Sequence, residues 1–175
     1  MIDKIDQNFT EAKKMIDASA NILLTMHEGM DGDDGGALLA VGAQLESMGK
    51  NVTYAIKKGV PPSLAFLPGS NKIQADIIQQ DFDLLITFGC STLNRTGNPN
   101  ILNLKSKILN IDHHPDNSQF GQVNIVDHKK SSVAEIIYDF FIFNSWSITK
   151  DIATCLLTGI ITDTGSFMHS NTQSS

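Results

Sequence analysis

Ile5, Phe9, Ala12 and Ile16 recur four, three and four positions apart, with Lys13, Lys14 and Asp17 between them. That spacing predicts an amphipathic helix. Residues 21–26 form an apolar run of strand length that delivers His27, and residues 28–36 follow as a loop dense in acids and glycines. A second helix begins about there, turning Leu38, Val41, Leu45 and Met48 inward, with Gly49 as a natural stop. Val52, Tyr54 and Ile56 alternate with polar residues and predict a second strand. Val60-Pro61-Pro62 breaks the chain, and Phe66-Leu67-Pro68-Gly69 reads as a packed turn. Residues 83–88 predict a third strand that runs into Gly89-Cys90-Ser91-Thr92, and residues 94–100 are loop. A fourth strand at 107–111 ends in Asp112-His113-His114, and 122–126 gives a shorter fifth. Ser131-Ser132 open a helix through Val133, Ala134, Ile136, Ile137 and Phe140. A last helix from about Thr149 carries Ile152, Cys155, Leu156, Gly159 and Ile160 inward and runs into Thr162-Asp163-Thr164-Gly165.

Short, near-continuously apolar strands alternating with helices imply an α/β fold, a mainly parallel sheet with helices on both faces. The connections are long enough for right-handed crossovers. In such folds ligands sit at the C-terminal ends of the strands, where the strand order switches direction. His27, Gly89 and Asp112-His113-His114 each follow the C-terminal end of a predicted strand. The polar clusters therefore converge on one place.

Composition narrows the class. With 175 residues, 41% of them hydrophobic, the chain amounts to one domain with a proper core. A formal net charge of −6 argues against electrostatic binding of long duplex nucleic acid. An acidic protein can still act on a phosphate when metal ions supply the positive charge. Cys90 and Cys155, the two cysteines, make no disulfide framework and fit a reducing cytosol. The N-terminus is too polar for a signal peptide, and no apolar run nears the roughly 18 residues of a membrane span. A soluble, cytoplasmic domain without a membrane partner is expected.

His27-x-x-x-Asp31-x-Asp33 puts one imidazole and two carboxylates in a single segment. Read in isolation, these acids equally suit a turn that caps the next helix through its dipole. Asp112-His113-His114 and Asp163, at comparable element ends, shift the reading to metal. Oxygen ligands suit Mg²⁺ and Mn²⁺, and added imidazole favours Mn²⁺. Two acids two residues apart in an extended loop point in opposite directions, which suits two ions. A two-ion site of this make-up fits phosphoryl hydrolysis.

His27-Glu28-Gly29-Met30-Asp31-Gly32-Asp33, Asp112-His113-His114 and Gly159-Ile160-Ile161-Thr162-Asp163-Thr164-Gly165-Ser166-Phe167 resemble three of the four signature motifs of the DHH phosphoesterases. That family takes in RecJ-type exonucleases, nano-RNA and pAp phosphatases, cyclic-dinucleotide phosphodiesterases and family II inorganic pyrophosphatases. Phe66-Leu67-Pro68-Gly69 and Ser131-Ser132-Val133-Ala134-Glu135 are similar to its nano-RNase/pAp-phosphatase branch. The likeness spans roughly residues 20–172. It implies a three-layer, Rossmann-like fold and a two-ion site, with Mn²⁺ expected and Mg²⁺ an alternative. By position it implies His27 and Asp31 on one ion, and Asp33, His113 and Asp163 on the other. His114 would contact the phosphate, and Asp112 would support it or simply cap the strand. The implied substrate is a short oligonucleotide or nucleotide phosphate, and a homodimer is compatible.

The chain departs from that pattern twice. The fourth motif is an aspartate at the end of the third strand that bridges both ions, followed by an arginine. Here Gly89 stands at that position and Arg95 lies six residues on. Glycine offers no ligand atom, so assembly of the two-ion site should weaken, with Cys90 as the adjacent substitute and restoration of an aspartate at this position as the remedy. Members also continue into a smaller substrate-gripping domain, whereas this sequence reads as the catalytic domain alone, closing on a linker at Asn171-Thr172-Gln173-Ser174-Ser175. Substrate binding by this part alone should be weak. Two alternatives stay open: a catalytically inactive nucleotide-binding or oligomerising relative, and an inorganic pyrophosphatase. His128 and His169 read as loop histidines, Cys155 as core, Trp146 as a lone aromatic, and Arg95 as a phosphate contact or a solvent arginine.

Overall fold

The computed structural model describes residues 4–77 and 81–172. The ends of the sequence, including part of the expected linker at 171–175, lie outside the described residues. Among the described residues, five strands form one sheet: β1 (Asn21–Met26), β2 (Asn51–Ala55), β3 (Leu84–Phe88), β4 (Lys107–Asp112) and β5 (Val123–Val126). Every neighbouring pair is parallel, in the order β2-β1-β3-β4-β5. The order switches between β1 and β3, whose last residues, Met26 and Phe88, stand side by side. A crevice therefore opens at their C-terminal ends, next to His27 and Gly89.

Strand alternation separates two apolar layers. Ile22, Leu24, Met26, Ile86 and Phe88 pack into a large core with the helices α1 (Lys4–Asp17), α2 (Gly32–Ser47), α3 (Val133–Phe143) and α4 (Lys150–Asp163). Leu23 and Leu85 point the other way and pack on Ile77, Phe82 and Ile101. The cover of that second face is thinner, made of irregular chain and 3₁₀ turns such as Ile101–Asn103 rather than α-helix. Glycine and proline between β3 and β4 contribute to this, since both disfavour a helix interior.

Helix ends follow the polar residues. Ser132 caps α3 by accepting from the Glu135 amide at 3.1 Å, and Glu135 returns to accept from the Ser131 amide at 2.8 Å. Thr149 caps α4. Helix α2 differs from the loop expected over residues 28–36. It starts at Gly32, because Asp31 accepts from the Asp34 amide and stops the first turn from fraying.

Helices α2 and α4 touch backbone to backbone. A Cβ on Gly36 would lie 2.3 Å from the Cys155 carbonyl oxygen, so only glycine fits. The same packing sets Gly32, at the start of α2, against Thr162, at the end of α4. Asp163 is thereby carried to the acid-rich start of α2.

Candidate metal centre

Strand β1 ends at Met26 and hands on His27. Its Nε2 lies 2.9 Å from Asp31 Oδ2 and 3.1 Å from Asp34 Oδ2. Asp31 does two jobs, since its other oxygen accepts from the Asp34 amide at the start of α2. His27, Asp31 and Asp34 each offer a ligand atom, all within 4.8 Å of one another. Asp33, one residue before Asp34, faces elsewhere. Its oxygens accept from the Val133 and Ala134 amides, at 2.7 and 2.8 Å, in the first turn of α3. Asp33, His113 and Asp163 form a second set of potential ligand atoms within 4.8 Å. The structure thus gathers five of the sequence-predicted residues, His27, Asp31, Asp33, His113 and Asp163, into two groups.

The two adjacent histidines are oriented by separate partners. His113 Nδ1 lies 3.3 Å from the Lys130 carbonyl, which can only accept. That nitrogen can donate to the carbonyl, and Nε2 faces Asp163 Oδ2 at 3.8 Å. His114 Nδ1 lies 2.7 Å from Asp112 Oδ1, leaving Nε2 free on a partly exposed ring. Asp112 is fully buried and spends its oxygens within the protein: Oδ1 also accepts from the His113 and His114 amides, and Oδ2 accepts from Asn117. It belongs to neither group of potential metal ligands among the described residues.

Electrostatics mark this as a site short of positive charge. Burial pushes the Asp33 carboxyl well up, and the neighbouring Asp34 charge adds to this. Burial likewise raises Asp34, against a hydrogen bond from His27, and it raises Asp163. The Asp31 and Asp34 carboxylates raise His27 to about 9. Among the described residues, nothing donates a hydrogen bond to the buried Asp34 Oδ1. An orphaned carboxylate oxygen among crowded acids is the arrangement a divalent cation relieves, so the residues present fit the ions that the motifs suggest.

The other candidates lie outside both ligand groups. Arg95 is exposed on a 3₁₀ turn, Leu93–Thr96, lining an open cavity of about 440 Å³ with His27, Glu28, Gly29, Lys58, Asn94 and Gly97. Cys90 is buried, and burial raises its thiol far above the usual range, so it belongs to neither ligand group. His128 and His169 are exposed. Trp146 stacks edge-on against Phe140 and Phe141 in the core. Three residues escaped the sequence reading. Asn117 holds Asp112, and Asn171 donates to the Asp163 carboxylate at 3.3 Å. Asp34 is the third, and only its adjacency to Asp33 could have flagged it.

Residues 21–160 match the DHH family, N-terminal domain. The chain is 30% identical over 153 residues to the "Bifunctional oligoribonuclease and PAP phosphatase NrnA" of Thermus thermophilus, covering 86% of this chain and 45% of that protein. The chain therefore spans about half the length of such relatives. Among solved structures, an exopolyphosphatase-related protein from Bacteroides fragilis superposes with a TM-score of 0.87 at 24% identity, over 95% of this chain and 53% of that one. RecJ of Thermus thermophilus, solved with Mn²⁺, superposes with a TM-score of 0.52 at 14% identity, over 91% of this chain and 24% of that one. These two likenesses concern the fold alone.

Proposed function

The chain belongs to the DHH family, and from that premise we propose that it hydrolyses phosphoester bonds in short oligonucleotides or nucleotides with two divalent cations, Mn²⁺ in preference to Mg²⁺. The observation that carries this reading is the pair of ligand groups, His27/Asp31/Asp34 and Asp33/His113/Asp163, at the C-terminal edge of one parallel sheet. In our reading His27 and Asp31 hold one ion, and Asp33, His113 and Asp163 hold the other. Two ions so held would supply charge for binding a phosphate and would lower the pKa of a bound water. Imidazole beside carboxylate favours Mn²⁺ over Mg²⁺, and RecJ, of similar fold, was solved with Mn²⁺. The relative's printed activities, oligoribonuclease and PAP phosphatase, support a nucleotide phosphate as the substrate class.

The chain's own residues then divide the work. His114, its Nδ1 proton held by Asp112, directs a free Nε2 at the substrate side and donates to a phosphate oxygen when protonated. The Asp112 carboxylate raises the His114 pKa, which favours that donor form. Asp112 acts only through His114, as a positioning residue. Arg95, exposed beside His27, offers a second phosphate contact. Asn117 and Asn171 hold Asp112 and Asp163 in place.

An activated diester, bis(p-nitrophenyl) phosphate, and then a dinucleotide give the test, with the 175-residue chain in Mn²⁺. Hydrolysis is expected with Mn²⁺, is lost with a chelator, and falls roughly 10²-fold or more in Asp163→Asn. Equal rates with Mn²⁺ and with chelator, or an undiminished Asp163→Asn, would refute the proposal.

A further inference from the structure

The third strand ends in a residue that cannot bind a cation, yet the space beside it already holds a carboxylate. Gly89 follows β3 with φ +58, and a Cβ built on it would fall 1.7 Å from Asp34 Oδ2, 2.1 Å from Asp34 Cγ and 2.2 Å from Asp34 Oδ1. The Asp34 carboxylate thus occupies the volume that a side chain on residue 89 would need. Asp34 reaches that place from the first turn of α2, and it is only 3% exposed. Its Oδ2 joins His27 and Asp31. Its Oδ1 meets no donor among the described residues. A buried, unpartnered carboxylate oxygen is costly unless something outside the protein binds it.

From this overlap we propose that Asp34 is a cation ligand, standing in the place that an acidic side chain at the end of β3 would otherwise fill. The chain has moved a ligand rather than lost one. Gly89 is then the complement of Asp34, since any side chain there would displace the carboxylate. Oδ2 would complete the first ligand group, and Oδ1 offers a further donor atom. The inference rests on the two-cation reading above.

It also reverses the expected remedy. Gly89→Asp alone sets two carboxylates in one volume, with 1.7 Å between the new Cβ and an existing oxygen. Aspartate is among the few side chains that tolerate a positive φ, so the backbone of Gly89 does not itself forbid it. With Asp34→Ala in place the volume is free, and the carboxylate introduced by Gly89→Asp can occupy it.

Calorimetric titration with Mn²⁺ of the wild type, Asp34→Asn, Gly89→Asp and the double variant Asp34→Ala/Gly89→Asp separates the possibilities. Circular dichroism without metal checks that each folds. The wild type should bind two ions. Asp34→Asn, of nearly equal shape, should weaken at least one of them by roughly tenfold or more. Gly89→Asp should bind more weakly than the wild type, and the double variant should bind more tightly than either single one. Wild-type binding in a folded Asp34→Asn would overturn the proposal, as would a folded double variant that binds no more tightly than Gly89→Asp. A wild type that binds no ion would instead overturn the two-cation reading beneath it. Should Asp34→Asn fail to fold, the double variant against Gly89→Asp still decides.

Discussion

His27 stands between Asp31 and Asp34, and those two carboxylates hold its pKa near 9 in the cation-free protein. The folded value lies above the usual 6.5, so the charged ring stabilises the fold fully below pH 6.5. That contribution fades as pH rises through about 9. Urea midpoints of the metal-free protein should therefore fall between pH 6.5 and 9, and His27→Gln should flatten that slope; an equally steep slope in the variant would discount the pairing. A cation needs the neutral ring, so Mn²⁺ binding at about pH 7.5 should release a proton, seen as buffer-dependent calorimetric heat. His114→Gln should lower kcat by about 10²-fold or more and leave Mn²⁺ affinity unchanged, because its Nε2 serves the substrate. Most of these residues were legible in the sequence, since an acid or imidazole at the end of an apolar run has few structural uses. Asp34 was not. Its meaning depends on the space above Gly89, which adjacency in sequence cannot convey. Asp112 was visible as a motif residue; its bonds to the His113 and His114 amides fit a strand-end cap, and its bond to His114 Nδ1 fits support of that ring.

Helix α2 carries Asp33 and Asp34 behind its Asp31 cap, and its position is set by its contact with α4. The loop expected over residues 28–36 proved to contain the first turn of this helix. Glycine density suggested a loop, but Gly36 serves close packing instead, with the Cys155 carbonyl where a Cβ would lie. Gly36→Ala should destabilise the fold by about 1–3 kcal/mol through overpacking. It should also weaken Mn²⁺ binding, since the helices that carry Asp33 and Asp163 must separate. Urea denaturation and calorimetry check the two effects, and an unaffected stability would contradict the backbone contact. Helix α3 contributes no ligand but supplies the two amides that fix Asp33. Asp33→Asn turns an amide group towards one of those donors, so the metal-free protein should lose about 1–3 kcal/mol in urea denaturation. Strand and helix order, by contrast, followed directly from apolar spacing. The helix-poor second face did not, because a 3₁₀ turn leaves no periodic signal.

On the scale of the molecule, an acidic chain brings its two candidate ligand groups to the edge where the strand order switches between β1 and β3. His27 and Gly89 follow neighbouring strands, His113 follows β4, and Asp163 arrives from α4 on the same edge. Among the described residues no helix is long and apolar enough to cross a membrane. The net charge of −6 makes bound cations the natural source of attraction for a phosphate. On the proposed reading this edge holds two ions, one in each ligand group. A crystal soaked in Mn²⁺ and measured for anomalous scattering tests it most directly. Two peaks are predicted, roughly 4 Å apart, one among His27, Asp31 and Asp34 and the other among Asp33, His113 and Asp163. A single peak, or peaks that avoid Asp34, would contradict it.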